Sequence, residues 1–281
     1  MPALTVTSSD GVVLAGEEAG NGTPVVLLHG LTASRRYVVH GSRALERAGH
    51  RVVAYDARGH GASSPAPDAA AYDYALLTGD LEAVLDDRGL DRAVLAGASM
   101  GAHTIVRFAL DHPERVAGMA LVTPAHLPGA NEDADRLETW DRLARGLRED
   151  GVDGFLAASD FSTMPERWRK TVTRVIRQRM ERHERLDAVA DAVAAVSRSR
   201  PFGALEELEG LEQPVVVVGS RDAGDPAHPL RTAHTYAELL PRGRLVVEDE
   251  GSSPLAWQGG QLSRVIAELA AEAMRWTQRN R

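Results

Sequence analysis

Ser99 sits in Gly97-Ala98-Ser99-Met100-Gly101, a G-x-S-x-G pentapeptide. Such a motif supplies a nucleophile only where it joins a buried strand to a helix, because a tight turn there lifts the serine oxygen above the sheet. Its surroundings fit that requirement. The apolar run Arg92-Ala-Val-Leu-Ala96 precedes it and a helical pattern opens near Met100. The glycines leave room in the turn, and the helix start aims backbone N–H groups at the site. A glycine-rich connection with an N-capping serine is the plainer alternative. A second segment, Leu27-Leu28-His29-Gly30-Leu31, ends another buried strand. There the N–H of Leu31 can point inward and, with that of Met100, form an oxyanion hole. Gly30 then lines the pocket, and His29 reads as a loop brace at its edge rather than the base.

The elements that must position these groups follow from hydrophobic patterning. Leu4–Thr7 and Gly11–Ala15 read as short strands around a Ser-Asp-Gly turn. Val25–Leu28, Arg51–Tyr55, Ala93–Ala96, Val116–Val122, Pro214–Val218 and Arg244–Val247 are apolar runs of the kind buried on both faces of a sheet. Helical patterns lie between them, at Tyr74–Arg88, Ser99–Leu110, Thr232–Leu240 and Gln261–Trp276. Strands alternating with helices imply an α/β fold, a mostly parallel sheet covered on both sides. The alternation stops between about Pro124 and Pro201, where the pattern is helical and charged. The expected organisation is an α/β core over 1–124 and 202–281, with a helical cap at 125–201.

Three motifs in order and spacing, Leu28-His29-Gly30, Asp56-Ala-Arg58-Gly59-His60-Gly61-Ala-Ser63 and Gly97-Ala-Ser99-Met100-Gly101, give a chain that resembles the α/β-hydrolase fold superfamily. The likeness is to its capped esterase, lactonase and C–C hydrolase branch, and covers nearly the whole length. It implies an eight-stranded sheet, a serine nucleophile, no cofactor and no metal. It also implies a bracing role for Asp56 and Arg58. The family order is nucleophile, acid, histidine. Val215–Val218 followed by Gly219-Ser220-Arg221-Asp222 resembles the strand and turn that carry the acid, so Asp222 is the expected acid and Asp225 the alternative; either also fits an Asx-turn residue. The histidine is expected after the last strand. The sequence there is Glu248-Asp-Glu-Gly251-Ser252-Ser253-Pro254, with Ser252 at the histidine's place, and no histidine follows His234.

A serine hydroxyl is a poor nucleophile without a base. Losing a triad member costs on the order of 10⁴–10⁶ in rate. The substitute bases are His228, in Asp225-Pro-Ala-His228-Pro229, and His126, in Thr123-Pro-Ala-His126. Asp249 or Glu250 would need a raised carboxyl pKa. His103, one turn into the nucleophile helix, reads as a packing residue. Trp140, Trp168, Trp257 and Phe161 are candidates to line a pocket or to pack in a core.

Composition bounds the rest. Of 281 residues 43% are apolar, enough for a large core. The absence of cysteine excludes thiol nucleophiles and Cys-ligated metals. A net charge of −8 argues against nucleic-acid binding. Against that background, Glu166–Arg185 carries eight basic and three acidic residues. This basic helix reads either as attraction for an anionic substrate or as a solvated, ion-paired face. No signal peptide or membrane span is expected, which makes the cytoplasm the default location. Three readings of function stay open. One is hydrolysis of a small ester, lactone or related carbonyl compound with a nonstandard base. The second is a catalytically degenerate fold binding a small ligand, and the third a non-hydrolytic reaction in the same pocket.

Overall fold

A computed structural model describes residues 3–221, 225, 227–249 and 257–280. Eight strands form one sheet: β1 (Ala3–Thr7), β2 (Val13–Ala19), β3 (Pro24–Leu28), β4 (Arg51–Tyr55), β5 (Ala93–Ala98), β6 (Val116–Val122), β7 (Val215–Gly219) and β8 (Gly243–Val247). Their order is β1-β2-β4-β3-β5-β6-β7-β8. The β1–β2 and β2–β4 pairs are antiparallel and the remaining pairs parallel. The helices are α1 (Ala44–Arg47), α2 (Tyr74–Asp87), α3 (Met100–Asp111), α4 (Ala134–Ala158), α5 (Glu166–Met180), α6 (Leu186–Val196), α7 (Leu230–Leu239) and α8 (Gly259–Arg279). The eight expected strands and the α/β class are thus observed.

The apolar runs are continuous because both faces of the sheet are covered. Val26 and Leu28 of β3 join one core with Leu95, Ile105, Phe108, Val217 and Tyr236. Val25 and Leu27 join the other with Val94, Val216, Leu262, Ile266 and Leu269. Burying each such side chain contributes about 1.5–3 kcal/mol. β2 departs from expectation, running to Ala19 rather than ending at Ala15. Its second half pairs Gly16–Ala19 with Val52–Tyr55, so backbone pairing extends it through Glu17 and Glu18 although they lack an apolar pattern.

Between β6 and β7 the chain forms only α4, α5, α6 and a short 3₁₀ turn among its regular elements. Leu143, Ala144, Leu147 and Phe155 of α4 pack with Met180 of α5 and Val189, Ala190 and Val193 of α6. This segment therefore buries an apolar cluster of its own. α4 breaks near its middle, where Gly151 takes φ 57°. No described helix is long and apolar enough to cross a membrane.

Candidate active site

Ser99 follows the end of β5 and caps α3 with φ 48° and ψ −111°. A positive φ in a serine costs free energy and persists only where the surroundings fix it. Here they do. The Ser99 N–H donates to Val122 O at 3.0 Å, and its carbonyl accepts the His103 N–H at 3.0 Å. The turn passes so close to its neighbours that side chains on its glycines are excluded. A Cβ on Gly97 would lie 2.4 Å from the Gly101 carbonyl carbon, and one on Gly101 would lie 2.1 Å from Leu28 O. The pentapeptide's glycines are thus explained by close approach of α3 to β5 and β3.

Opposite the serine stands His228. Its Nε2 is 2.8 Å from Ser99 Oγ, and its Nδ1 is 2.8 Å from both carboxylate oxygens of Asp225. The His228 N–H also donates to Asp225 O at 3.3 Å. That bond closes a tight turn between β7 and α7, which puts acid and ring side by side at i and i+3. Nδ1–H donates to the carboxylate, so the Nε2 lone pair is left to accept the serine proton. Burial alone would raise the Asp225 pKa. The electrostatic interaction and hydrogen bond with His228, together with Arg179, outweigh it and hold the carboxyl below its ordinary range.

The carboxylate on His228 is therefore Asp225. Asp222, the preferred acid from the sequence, lies outside the described residues, as do Glu250 and Ser252. Asp249 is exposed. His126 is not brought to the serine. Its ring is buried against Phe202, with centroids 4.8 Å apart and Nε2 3.3 Å from Phe202 O. Burial pushes its pKa down to about 4. Tyr236 Oη donates to its carbonyl at 2.9 Å.

The oxyanion candidates flank Ser99. Met100 opens α3, where the first backbone N–H groups lack intrahelical partners. Leu31 takes the second position of a turn closed by Ala33 N–H to Gly30 O at 3.0 Å, so its own N–H is not used by that turn. His29 braces this loop: Nδ1 donates to Gly30 O at 2.8 Å and Nε2 accepts the Ala57 N–H at 2.9 Å. The segment after β4 is braced as expected. Asp56 accepts from Arg35 N–H at 2.6 Å and Ala62 N–H at 3.1 Å. Arg58, almost fully buried, donates to Asp80 at 2.8 and 2.7 Å and to Asp10 at 2.8 Å.

Ser99, His228, Gly30, Leu31 and Met100 all line one cleft of about 690 Å³. Its walls come from both the sheet side and α4–α6, Trp140, Phe155, Val172 and Ile176 among them. Trp140 is thus in the cleft. His29, His126, Trp168 and Trp257 are not among the lining residues, which corrects their placement in the pocket. His29 lines a small internal void instead. The Trp168 ring meets the Arg167 guanidinium at 5.4 Å. Trp257 donates from Nε1 to Gly219 O at 2.8 Å and packs on the α8 core. Tyr74, His103, Arg136 and Arg179 also line the cleft. No local motif marks them, because they converge from α2, α3, α4 and α5. No cluster of three potential metal ligands occurs among the described residues.

Comparison with known proteins agrees with this architecture. The chain is 40% identical to epoxide hydrolase A of Mycobacterium tuberculosis over 131 residues, which span 46% of this chain and 41% of that protein. It thus matches less than half of that relative's length. It is 26% identical to a non-heme chloroperoxidase of Kitasatospora aureofaciens over 276 residues, 94% of this chain and 96% of that protein. Among solved structures, a thermophilic esterase from Thermogutta terrifontis, solved with malate bound, superposes with a TM-score of 0.76 at 26% identity. That match covers 97% of this chain and 99% of the esterase. The model of the alpha/beta hydrolase fold family matches residues 23–258. The chain belongs to the α/β hydrolase fold family.

Proposed function

We propose that this protein is a serine hydrolase of a small carboxylic ester or lactone, with α4–α6 as a cap over the site. The observation that carries the reading is the continuous chain of contacts Ser99 Oγ–His228 Nε2–His228 Nδ1–Asp225, each 2.8 Å. As the Ser99 oxygen attacks the substrate carbonyl, His228 Nε2 takes its proton. Asp225 holds the ring's tautomer and stabilises the imidazolium. The carbonyl π electrons move onto oxygen, and the N–H groups of Leu31 and Met100 receive that charge. Collapse expels the alcohol oxygen, which takes the proton from His228, and leaves an acyl-serine. Water then attacks the acyl carbon, its proton passing to His228 and on to Ser99 as the acid departs. The chemistry draws on no cofactor.

In this reading, acid and base both come from the loop after β7, and Ser252 has no part as a base. The case for a catalytically degenerate fold rested on the missing histidine after β8, and the Ser99–His228 contact counts against it. The proposal is tested by a fluorophosphonate probe. Ser99 is expected to carry the adduct, Ser99→Ala to abolish it, and His228→Ala to slow it by roughly 10²–10⁴, the scale of a general base. An adduct on another serine, or labelling unaffected by His228→Ala, would refute the assignment.

A further inference from the structure

The inner end of the cleft holds hydrogen-bond donors that the hydrolytic machinery does not use. His103 lies one turn along α3 from Ser99. Its Nε2 accepts two backbone N–H groups, Ala125 and His126, both at 3.0 Å. An acceptor nitrogen carries no proton, so the ring proton of this neutral histidine sits on Nδ1. Burial above all, with the neighbouring His126, His228 and Arg136 acting in the same direction, lowers its pKa and keeps the ring neutral. Nδ1–H therefore donates to Tyr74 Oη, 3.0 Å away. Tyr74 accepts that bond and its own O–H remains to be given. Burial pushes its pKa up, so the phenol stays protonated.

Arg136, on the first turn of α4, is the cation at this end. Its charge bears on Tyr74, His103 and His126 together. Nη1 donates to Ala130 O at 3.1 Å and Ser197 O at 3.4 Å, both neutral acceptors. The guanidinium lies 5.8 Å from the Trp140 ring. Among the described residues no carboxylate forms an ion pair with it. Asp133 is near, but its carboxylate caps α4 by accepting the Arg136 backbone N–H at 2.8 Å. A half-buried guanidinium that lines the cleft and has no carboxylate partner offers its remaining N–H groups to an anion there. The other cleft arginine, Arg179, acts on Asp225, and Asp160 stands at an exposed position on the cleft wall.

We propose that Arg136 and the Tyr74 hydroxyl form a carboxylate-binding subsite, and that the acid portion of the substrate bears a second, anionic carboxylate. This rests on the hydrolase reading above. The acid portion is assigned by position. The His228 side chain is 21% exposed, so the alcohol it protonates departs toward solvent. Tyr74 and His103 are only 5% and 6% exposed and flank the inner end, where the acyl group stays attached. The guanidinium fork offers paired N–H groups to a carboxylate and Tyr74 a third donor. The basic face of α5 is not this site: Arg167, Arg169, Lys170 and Arg174 are exposed to solvent.

Two measurements test it on the intact protein. The first is the ratio of kcat/KM for mono-p-nitrophenyl adipate to that for p-nitrophenyl hexanoate, which differ only in a terminal carboxylate for a methyl group. A ratio of roughly tenfold or more is expected, the scale of a charge-assisted hydrogen-bonded pair. Arg136→Met should lower it about tenfold and Tyr74→Phe a few-fold. The second is the rise in Tm caused by succinate, glutarate or adipate. It is expected in the parent protein and in Ser99→Ala, and should vanish in Arg136→Met and shrink in Tyr74→Phe. Should Arg136→Met fail to fold, Arg136→Lys and Tyr74→Phe carry the comparison. A parent protein with no carboxylate preference and no dicarboxylate shift would overturn the subsite, as would either effect surviving undiminished in the Arg136 variants. Dicarboxylate shifts that follow Arg136 in a protein without esterase activity would support the subsite and defeat the hydrolase reading instead.

Discussion

Ser99 and His228 lie 129 positions apart and their side chains meet at 2.8 Å. The serine was legible from its pentapeptide, because the motif is local and its glycines are forced by backbone contact. The proposed acid and base were legible only as alternatives. Nothing in Asp225-Pro-Ala-His228 says that its turn folds over the sheet, and the family pattern directed attention to Asp222 and to the position of Ser252. Asp225→Asn should keep the turn but present an amide to Nδ1, favouring the wrong tautomer. We expect kcat/KM on short activated esters to fall roughly 10²–10⁴-fold with little change in KM. A fall confined to KM would place Asp225 in binding instead. Arg58 shows the opposite kind of residue. It is buried between Asp80 and Asp10, so Asp80→Ala would break the more buried pair and leave the guanidinium with the more exposed Asp10. A loss of about 3–5 kcal/mol in urea unfolding is expected, and a change of only a few tenths would mean that Arg58 finds other partners.

At the scale of elements, the strands of the sheet core were legible because burial on both faces writes an uninterrupted apolar run. The outer half of β2 has no apolar pattern to announce it, because Glu17 and Glu18 are held by backbone pairing and by ion pairs to arginines. The helical insertion was visible as a break in alternation and Trp140 as a pocket candidate, whereas the contribution of Phe155 and Ile176 to the cleft was not. That placement depends on how α4 and α5 pack over the sheet, a long-range outcome with no periodic signature. The junction of β5 and α3 makes a sharp prediction. Gly101→Ala would drive its Cβ to 2.1 Å from Leu28 O, a clash with backbone that no rotamer relieves. Destabilisation of at least about 1–3 kcal/mol is expected, along with loss of probe labelling at Ser99 as the turn shifts. A variant with the parent's Tm and labelling rate would show that the helix can move away freely.

Across the whole molecule, buried neutral histidines join the β3 loop, the segment after β4 and the insertion. The rings of His29, His60 and His183 sit in sequence, with centroids 5.1 and 5.6 Å apart. His183 accepts the Gly61 N–H at 2.8 Å, and its Nε2 lies 3.0 Å from Thr32 O, beside the oxyanion loop. Burial pushes the pKa of His183, like that of His126, down to about 4, and lowers His29, His60 and His103 as well. An unfolded histidine takes its proton near 6.5. The unfolded state therefore binds more protons between those values, and stability is full above pH 6.5 and falls toward pH 4. His126 and His183 each contribute up to about 3 kcal/mol to that loss. Urea unfolding at pH 7 and pH 5 should show a clear drop in midpoint, and equal midpoints would contradict it. The proposed reaction depends on one contact, between Ser99 and His228. We would measure kcat/KM on a short activated ester for His228→Ala, Ser99→Ala and the double variant, each shown to be folded by its melt. The account predicts that each single variant loses roughly 10³–10⁶ and that the double variant loses no more than either alone, since the groups act as a unit. A folded His228→Ala protein within a few-fold of the parent rate would contradict it.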